Sequence, residues 1–327
     1  MADTPLDPDG ERHRPRLWIV SPMLHDTQSF QRLRNETTEA CVRAGITDTI
    51  RFLVVDDSAG TDVEVAQLQD LDDVDVLTPP FNLGHQRAIV FGLRFLVPRL
   101  AGDELVVTMD SDGEDQPADV PRLIDALQSS TVPLVLAERT KRKEQLRFRV
   151  MYLFFRVLFR VLTGTRVKSG NFALQRARSL AASIDHPSFD LCYSSTLLAL
   201  RRPTTMVPCA RGERFAGRSR MSSYALVAHG VRMLLPFSER IAVRMMIVAA
   251  TSFAALAAYL VMLATGAFGD APGWAAIAPM IGVLALFLAS FSAFVVLFSG
   301  FAQGSAIATK GIGVQDRPRD TRTPSGV

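Results

Sequence analysis

The sequence is short of the residues that would staple a small secreted scaffold. Three cysteines, Cys41, Cys192 and Cys209, occur in 327 residues. They are odd in number and lack metal-ligand spacing, which argues against a disulfide framework and suits a reducing compartment. An excess of one charge is also missing. A formal net charge of +3 carries no global signature of a nucleic-acid partner. Residues 1–16 are polar and lack an apolar h-region, so no cleaved signal peptide is expected and the stretch reads as a disordered tail. Most telling is where charge vanishes. Residues 245–268 carry none, and neither do residues 271–309. Each run exceeds the roughly 20 residues needed to cross a bilayer.

What is there divides into two unlike halves. Mean hydropathy is +0.17 although 21% of residues are charged, and the charges thin out after Arg244. From residue 17, short apolar runs alternate with helical stretches. The runs 17–21, 50–56, 74–77, 105–110 and 134–137 predict buried strands, and 27–44, 61–69, 84–99 and 117–127 predict the helices between them. This spacing implies an α/β fold with a mainly parallel sheet covered on both faces. Two strands end in carboxylates, Asp56-Asp57 and Asp110, and ligands of open α/β sheets bind beyond the carboxyl ends of strands. Acidic residues gather at 56–75 and 103–125, arginines at 139–160 and 201–220, a pairing suited to holding both a metal and phosphates.

The sharpest local feature is Asp110-Ser111-Asp112-Gly113-Glu114-Asp115. Extended backbone would put Asp110, Asp112 and Glu114 on one side, where they could converge on a hard cation, Mg²⁺ or Mn²⁺, together with a diphosphate. Such an ion would neutralise charge growing on a departing nucleotide diphosphate. Asp57 could accept hydrogen bonds from a base or ribose, or it or Ser58 could cap the helix that follows.

Arg142, Arg149, Arg156 and Arg160 fall within about 40° of one another on a helical wheel. Between them lie Tyr152, Phe154, Phe155 and Phe159, a pattern suited to an interfacial helix with arginines on headgroup phosphates. The stretch 222–235 has a similar character. Two spans are expected beyond it, joined by a short Gly269-Asp270-Ala271-Pro272-Gly273 turn. Arg240 and Arg244 precede the first span, and Lys310, Arg317, Arg319 and Arg322 follow the second. The positive-inside rule then places both ends in the cytoplasm.

These segments together resemble glycosyltransferase family 2, and within it the polyprenyl-phosphate enzymes such as dolichyl-phosphate mannose synthases and bactoprenol-phosphate glucosyltransferases. Asp56-Asp57-Ser58 is similar to the family's Val-Asp-Asp-Gly-Ser segment, and Asn82-Leu83-Gly84-His85 to its Asn-x-Gly-His. Asp110-Ser111-Asp112-Gly113-Glu114-Asp115-Gln116-Pro117 resembles Asp-Ala-Asp-Leu-Gln-Asp-Pro-Pro. Gly170-Asn171-Phe172 stands where the family carries Gly-Asp/Asn-Phe. Residues 211–220 resemble Arg-x-x-Arg-x-x-Gly-x-Ser-Lys, with Arg214, Gly217 and Ser219 in register. The order of the five pieces strengthens the resemblance.

The resemblance implies a GT-A (Rossmann-like) catalytic domain over 17–220, with an interface helix near 142–163. A juxtamembrane helix over 221–240, two transmembrane helices in 241–309 and a cytoplasmic tail over 310–327 would follow. It implies Asp112 and Glu114 as metal ligands, Asp110 as a catalytic residue touching donor or metal, and Arg214 as a clamp on phosphates. Pro22, Asp57 and Ser219 would border the donor, and Arg139, Arg147, Arg211 and Arg220 would meet the acceptor phosphate. The expected activity is inverting transfer from a nucleotide sugar, UDP-linked in preference to GDP-linked, to a polyprenyl phosphate. The expected partners include membrane lipid and no nucleic acid, and the sequence leaves room for a homo-oligomer without specifying one.

The chain departs from the pattern in four places. Glu114 replaces a glutamine, His25-Asp26 stands for Asn-Glu, Met151 stands for a serine, and Arg220 replaces a lysine. A polysaccharide synthase would need more spans and a Gln-x-x-Arg-Trp segment, absent here because the tryptophans are Trp18 and Trp274. Transfer to a neutral lipid hydroxyl would demand a clear general base. A membrane-anchored, non-catalytic nucleotide-sugar-binding protein is the reading from another class.

Overall fold

The computed structural model describes residues 17–46, 49–140, 146–216, 223–266 and 273–304. Its first half is a run of strand–helix units. These are β1 (Leu17–Met23), α1 (Thr27–Arg43), β2 (Ile50–Asp56), β3 (Val74–Leu77), α2 (His85–Leu96), β4 (Leu105–Thr108), α3 (Val120–Gln128) and β5 (Leu134–Arg139). The second half brings α4 (Leu146–Thr163), β6 (Ser169–Arg176), α5 (Ala177–Ala181), α6 (Tyr193–Ala199) and β7 (Thr204–Cys209). The helices α7 (Ser223–Leu234), α8 (Ser238–Ala264) and α9 (Gly273–Gly304) complete the described chain.

The strands form one sheet in the order β3-β2-β1-β4-β6-β5-β7. All pairs are parallel except those made by β6, which runs antiparallel to both β4 and β5. Side chains alternate across the pleat. Leu17, Ile19, Phe52, Val54, Leu105 and Val107 face a core closed by Phe30 and Leu33 of α1 and Leu123, Ile124 and Leu127 of α3. Trp18, Val20, Leu53, Val55 and Val106 face the opposite core, closed by α2 and by Tyr193 and Leu197 of α6. The five strands expected from sequence are present, but β6 and β7 add to them. The helix expected over 61–69 is a 3₁₀ turn, Val63–Leu68, capped by Asp62, whose side chain accepts from the Glu64 N–H.

Gly92 sets how closely α2 lies on the sheet. A Cβ there would stand 2.6 Å from Val55 Cγ2 and 3.2 Å from Val20 Cγ1. Both neighbours are stiff, β-branched side chains in the core. Gly92→Ala is therefore expected to destabilise the protein by about 1–3 kcal/mol despite alanine's better helix propensity, measurable as a lowered unfolding midpoint.

A third apolar cluster joins the sheet domain to the C-terminal helices. Phe159 of α4, Val167, Cys192, Met233 of α7, and Phe237 and Ile241 at the start of α8 are buried together. Arg244 donates to the Val161 carbonyl at 2.5 Å and Arg240 to the Ala199 carbonyl at 3.1 Å. The first turns of α8 are thus fixed to the sheet domain. Beyond them, α8 and α9 are apolar enough and long enough to cross a membrane, and they are mostly exposed rather than buried in a protein core.

Candidate active site

Three loops meet at the carboxyl ends of β1, β2 and β4. The acidic loop leaves β4 at Thr108, two residues earlier than the sequence pattern suggests. From there it turns instead of extending. Asp112 Oδ1 accepts from the Glu114 N–H at 3.0 Å, and Gly113 adopts φ +84°, a conformation glycine takes at little cost. Ser111 ties the loop to β1 by donating to the Pro22 carbonyl at 3.1 Å.

The turn separates the carboxylates into two groups, which corrects the expectation that Asp110, Asp112 and Glu114 converge. Among the described residues no three His, Cys, Asp or Glu side chains are placed to hold a metal ion together. Asp112 and Glu114 do share a partner. Arg214 reaches Asp112 Oδ2 at 2.8 Å and Glu114 Oε1 at 3.0 Å, and Arg211 pairs with Glu114 Oε2. One cationic group already bridges the two carboxylates. The pair therefore fits a small hard cation supplemented by phosphate oxygens, as two-carboxylate Mg²⁺ sites do.

Asp110 belongs to a second group. Its Oδ1 lies 3.0 Å from His85 Nε2 and accepts from Asn171 Nδ2 at 2.6 Å. Gln86 Nε2 donates to Asn171 Oδ1 at 2.6 Å, and Gln86 Oε1 accepts from the Ser194 N–H at 2.9 Å. Burial alone would raise the Asp110 pKa, but His85, Arg139 and the Asn171 amide hold it well below the usual carboxylate range. Burial opposes charge on His85 as well, yet Asp110 more than offsets this and raises the imidazole pKa. Burial, followed by the charges of Asp110 and Glu114, raises Asp112.

Asp115 was not singled out by its sequence context. It is buried, accepts from the Asp110 N–H at 3.1 Å and faces Arg139 at 3.4 Å. Burial raises its pKa, as does the neighbouring Asp110 charge. The Gly170-Asn171-Phe172 segment opens β6 and has a part for each residue. A Cβ on Gly170 would meet the Arg139 guanidinium at 2.8 Å, so the missing side chain lets that guanidinium lie against the strand. Asn171 links Asp110, His85 and Gln86, and Phe172 is core. Asn171→Ala leaves Gln86 Nε2 without that partner and is expected to cost about 1–3 kcal/mol of stability, read from denaturant unfolding.

Asp57 caps no helix directly after it. Its carboxylate accepts the Leu83 N–H at 2.6 Å and the Gly84 N–H at 2.9 Å, while Asn82 Nδ2 donates to its carbonyl at 2.7 Å. The Asp-Asp-Ser and Asn-Leu-Gly-His segments are therefore two sides of one device that presents His85 at the start of α2.

Pro22 lies in β1 beside Val55, on the same rim. Arg139 and Arg211 line one small pocket with Glu114, Asp115, Phe172 and Cys209. Arg147 is placed by its backbone, in the first turn of α4, and Ser219 and Arg220 lie outside the described residues. Two side chains at the site carried no motif. Phe215 covers Gly113, and His229 of α7 lies within electrostatic reach of His85, Arg139 and Asp110.

Residues 31–193 match the family model described as Glycosyl transferase family 2. No curated protein matches the chain. Among solved structures it is similar to mannosyl-3-phosphoglycerate synthase from Rubrobacter xylanophilus, with 14% identity, TM-score 0.50, and 69% of this chain and 74% of that one covered. Glucosyl-3-phosphoglycerate synthase from Mycobacterium tuberculosis, in complex with Mn²⁺, UDP-glucose and phosphoglyceric acid, aligns with 16% identity and TM-score 0.45, covering 69% and 80%. The fold is GT-A-like: an α/β domain with a mostly parallel mixed sheet, followed here by two apolar helices that are candidate membrane spans.

Proposed function

We propose that this protein is an inverting glycosyltransferase that moves a sugar from a nucleotide diphosphate, UDP in preference to GDP, onto a polyprenyl phosphate at the cytoplasmic membrane face. The observation that carries the lipid acceptor is the outer face of α4. Leu153, Phe154, Val157 and Val161 are exposed, at 68% for Phe154 and 65% for Val161, whereas Phe159 and Thr163 are buried against the domain. Exposed Arg156 and Arg160 run along the border between these two faces. An apolar surface edged by arginines suits the acyl–headgroup boundary. The helix α7 packs against α4, since a Cβ on Gly230 would stand 3.1 Å from the Phe155 ring, and the neighbouring His229 lies within electrostatic reach of His85, Arg139 and Asp110.

Asp112 and Glu114 are the residues that would hold Mg²⁺ or Mn²⁺. When bound, the ion supplies charge stabilisation for the departing diphosphate. Arg214 and Arg211 stand where they can transfer from carboxylates to phosphate oxygens, and bidentate guanidinium pairing suits both. Pro22 and Asp57 shape the nucleotide side of the rim. Arg139, with Arg147 and Arg220, would meet the acceptor phosphate. That phosphate is largely ionised at neutral pH, so the attack needs no strong general base. His85 is committed to Asp110, and its task in this reading is to orient that carboxylate.

The domain would span 17–220 in the cytoplasm, followed by a juxtamembrane helix over 221–240 and two spans within 241–309. Both termini would be cytoplasmic. The test uses the full chain in lipid nanodiscs with Mn²⁺, labelled UDP- and GDP-sugars, and polyprenyl phosphate beside diacylglycerol. Label in the organic phase that depends on the phosphate supports the reading. Label on diacylglycerol, or label that stays in water, contradicts it.

A further inference from the structure

The segment from Ala210 to Ala216 lies on the acidic loop like a seat cover. Gln116 Nε2 donates to the Ala210 carbonyl at 2.7 Å, the Gly212 N–H to the Glu114 carbonyl at 2.9 Å, and the Phe215 N–H to the Asp112 carbonyl at 2.8 Å. Contact is close enough to require glycine on both sides. A Cβ on Gly212 would stand 2.3 Å from the Gly113 carbonyl, and one on Gly113 would stand 2.7 Å from the Phe215 ring. The same ring is also held from α1, where the Arg32 guanidinium sits 4.2 Å from the Phe215 centroid while Glu36 accepts from Arg32 Nε at 2.7 Å.

The outcome of this clamping is electrostatic. Arg214 bridges Asp112 and Glu114, and Arg211 takes the remaining Glu114 oxygen. Two carboxylates meant for a cation are thus matched by two guanidiniums supplied by the chain itself. A divalent ion entering alone has to displace them against intact charge-assisted hydrogen bonds. An ion arriving with a nucleotide diphosphate brings phosphate oxygens that can receive the displaced arginines.

We propose that Phe215 is a positioning residue: it anchors Arg211 and Arg214 over Asp112 and Glu114 as a resident counter-charge, so that the site takes its metal together with the nucleotide diphosphate and weakly without it. This rests on the proposed role of Asp112 and Glu114. It makes an unusual pairing of effects. Removing the counter-charge improves binding of the bare ion while it impairs turnover, whereas a merely structural role would weaken both.

The experiment is Mn²⁺ titration of the full chain in nanodiscs, followed by electron paramagnetic resonance of free Mn²⁺, with and without UDP. In the absence of UDP, Arg214→Gln is expected to bind Mn²⁺ about tenfold more tightly than wild type, the scale of one lost charge-assisted hydrogen-bonded pair. Phe215→Ala should tighten it about threefold, and Phe215→Leu, which keeps an apolar cover, by less. With UDP the differences should shrink, and kcat should fall for Arg214→Gln and Phe215→Ala. Unchanged unfolding midpoints exclude misfolding, and Arg214→Gln alone decides the matter where Phe215→Ala fails to fold. Equal or weaker Mn²⁺ binding by Arg214→Gln, with binding still abolished by Asp112→Asn, overturns the counter-charge while leaving the site reading intact. Mn²⁺ binding that survives Asp112→Asn overturns the site reading and this inference with it.

Discussion

Asp112→Asn is expected to lower kcat/KM about a thousandfold while leaving the fold intact, the scale of losing several kcal/mol of charge stabilisation at the leaving group. The amide keeps an oxygen that can still accept from the Glu114 N–H, so the turn around Gly113 survives. What disappears is the charge. Its removal should cost little stability. Burial raises the Asp112 pKa above its unfolded value, with Asp110 adding to the shift. A carboxylate raised in this way lowers stability when ionised, and the penalty is present above the unfolded pKa and relieved as pH falls through the folded one. Arg214 recovers part of that penalty through its 2.8 Å contact. Stability near wild type combined with a steep fall in turnover, measured on one preparation, is the expected signature. A collapse of the unfolding midpoint that accounts for the lost activity would show Asp112 to be structural.

The second large effect is expected on the outer face of α4. Phe154→Glu with Val157→Glu places two carboxylates where exposed apolar side chains stand, next to Arg156. In the proposed reading α8 and α9, the candidate spans, keep the variant in the membrane, so localisation should not change. At the shallow interface each charge is expected to cost about 1–2 kcal/mol, below the roughly 2.5–3.5 kcal/mol of the bilayer centre. Turnover of a long polyprenyl phosphate should fall about a hundredfold, and turnover of a short, water-soluble prenyl phosphate by less than about threefold. Equal losses on both acceptors would contradict an interfacial role for this face.

Much of this was legible in the sequence, and the limits have physical causes. The first five strands showed as apolar runs ending in Asp56 and Asp110 because buried parallel strands are continuously hydrophobic. β6 and β7 did not stand out. Ser169–Arg176 mixes glycine, asparagine, glutamine and arginine because its side chains serve Arg139, Asp110 and Tyr193 as well as the core. The carboxylates at 110, 112 and 114 were identifiable by type, but their partition was not. A turn centred on Gly113 sends Asp110 to His85 and Asn171, and two-residue spacing alone describes only extended backbone. Asp115 and Phe215 were missed because burial and a cross-chain contact give them their roles. The hint available was an aromatic residue placed amid the arginines of 211–220.

The most direct measurement of the central claim is the environment of Mn²⁺ in the complex with UDP carrying ¹⁷O in its diphosphate. Electron paramagnetic resonance lines broadened by ¹⁷O in the wild type, and lost in the Asp112→Asn/Glu114→Gln double variant, are the predicted result. Unbroadened lines in the wild type, or equal broadening in the double variant, would contradict it.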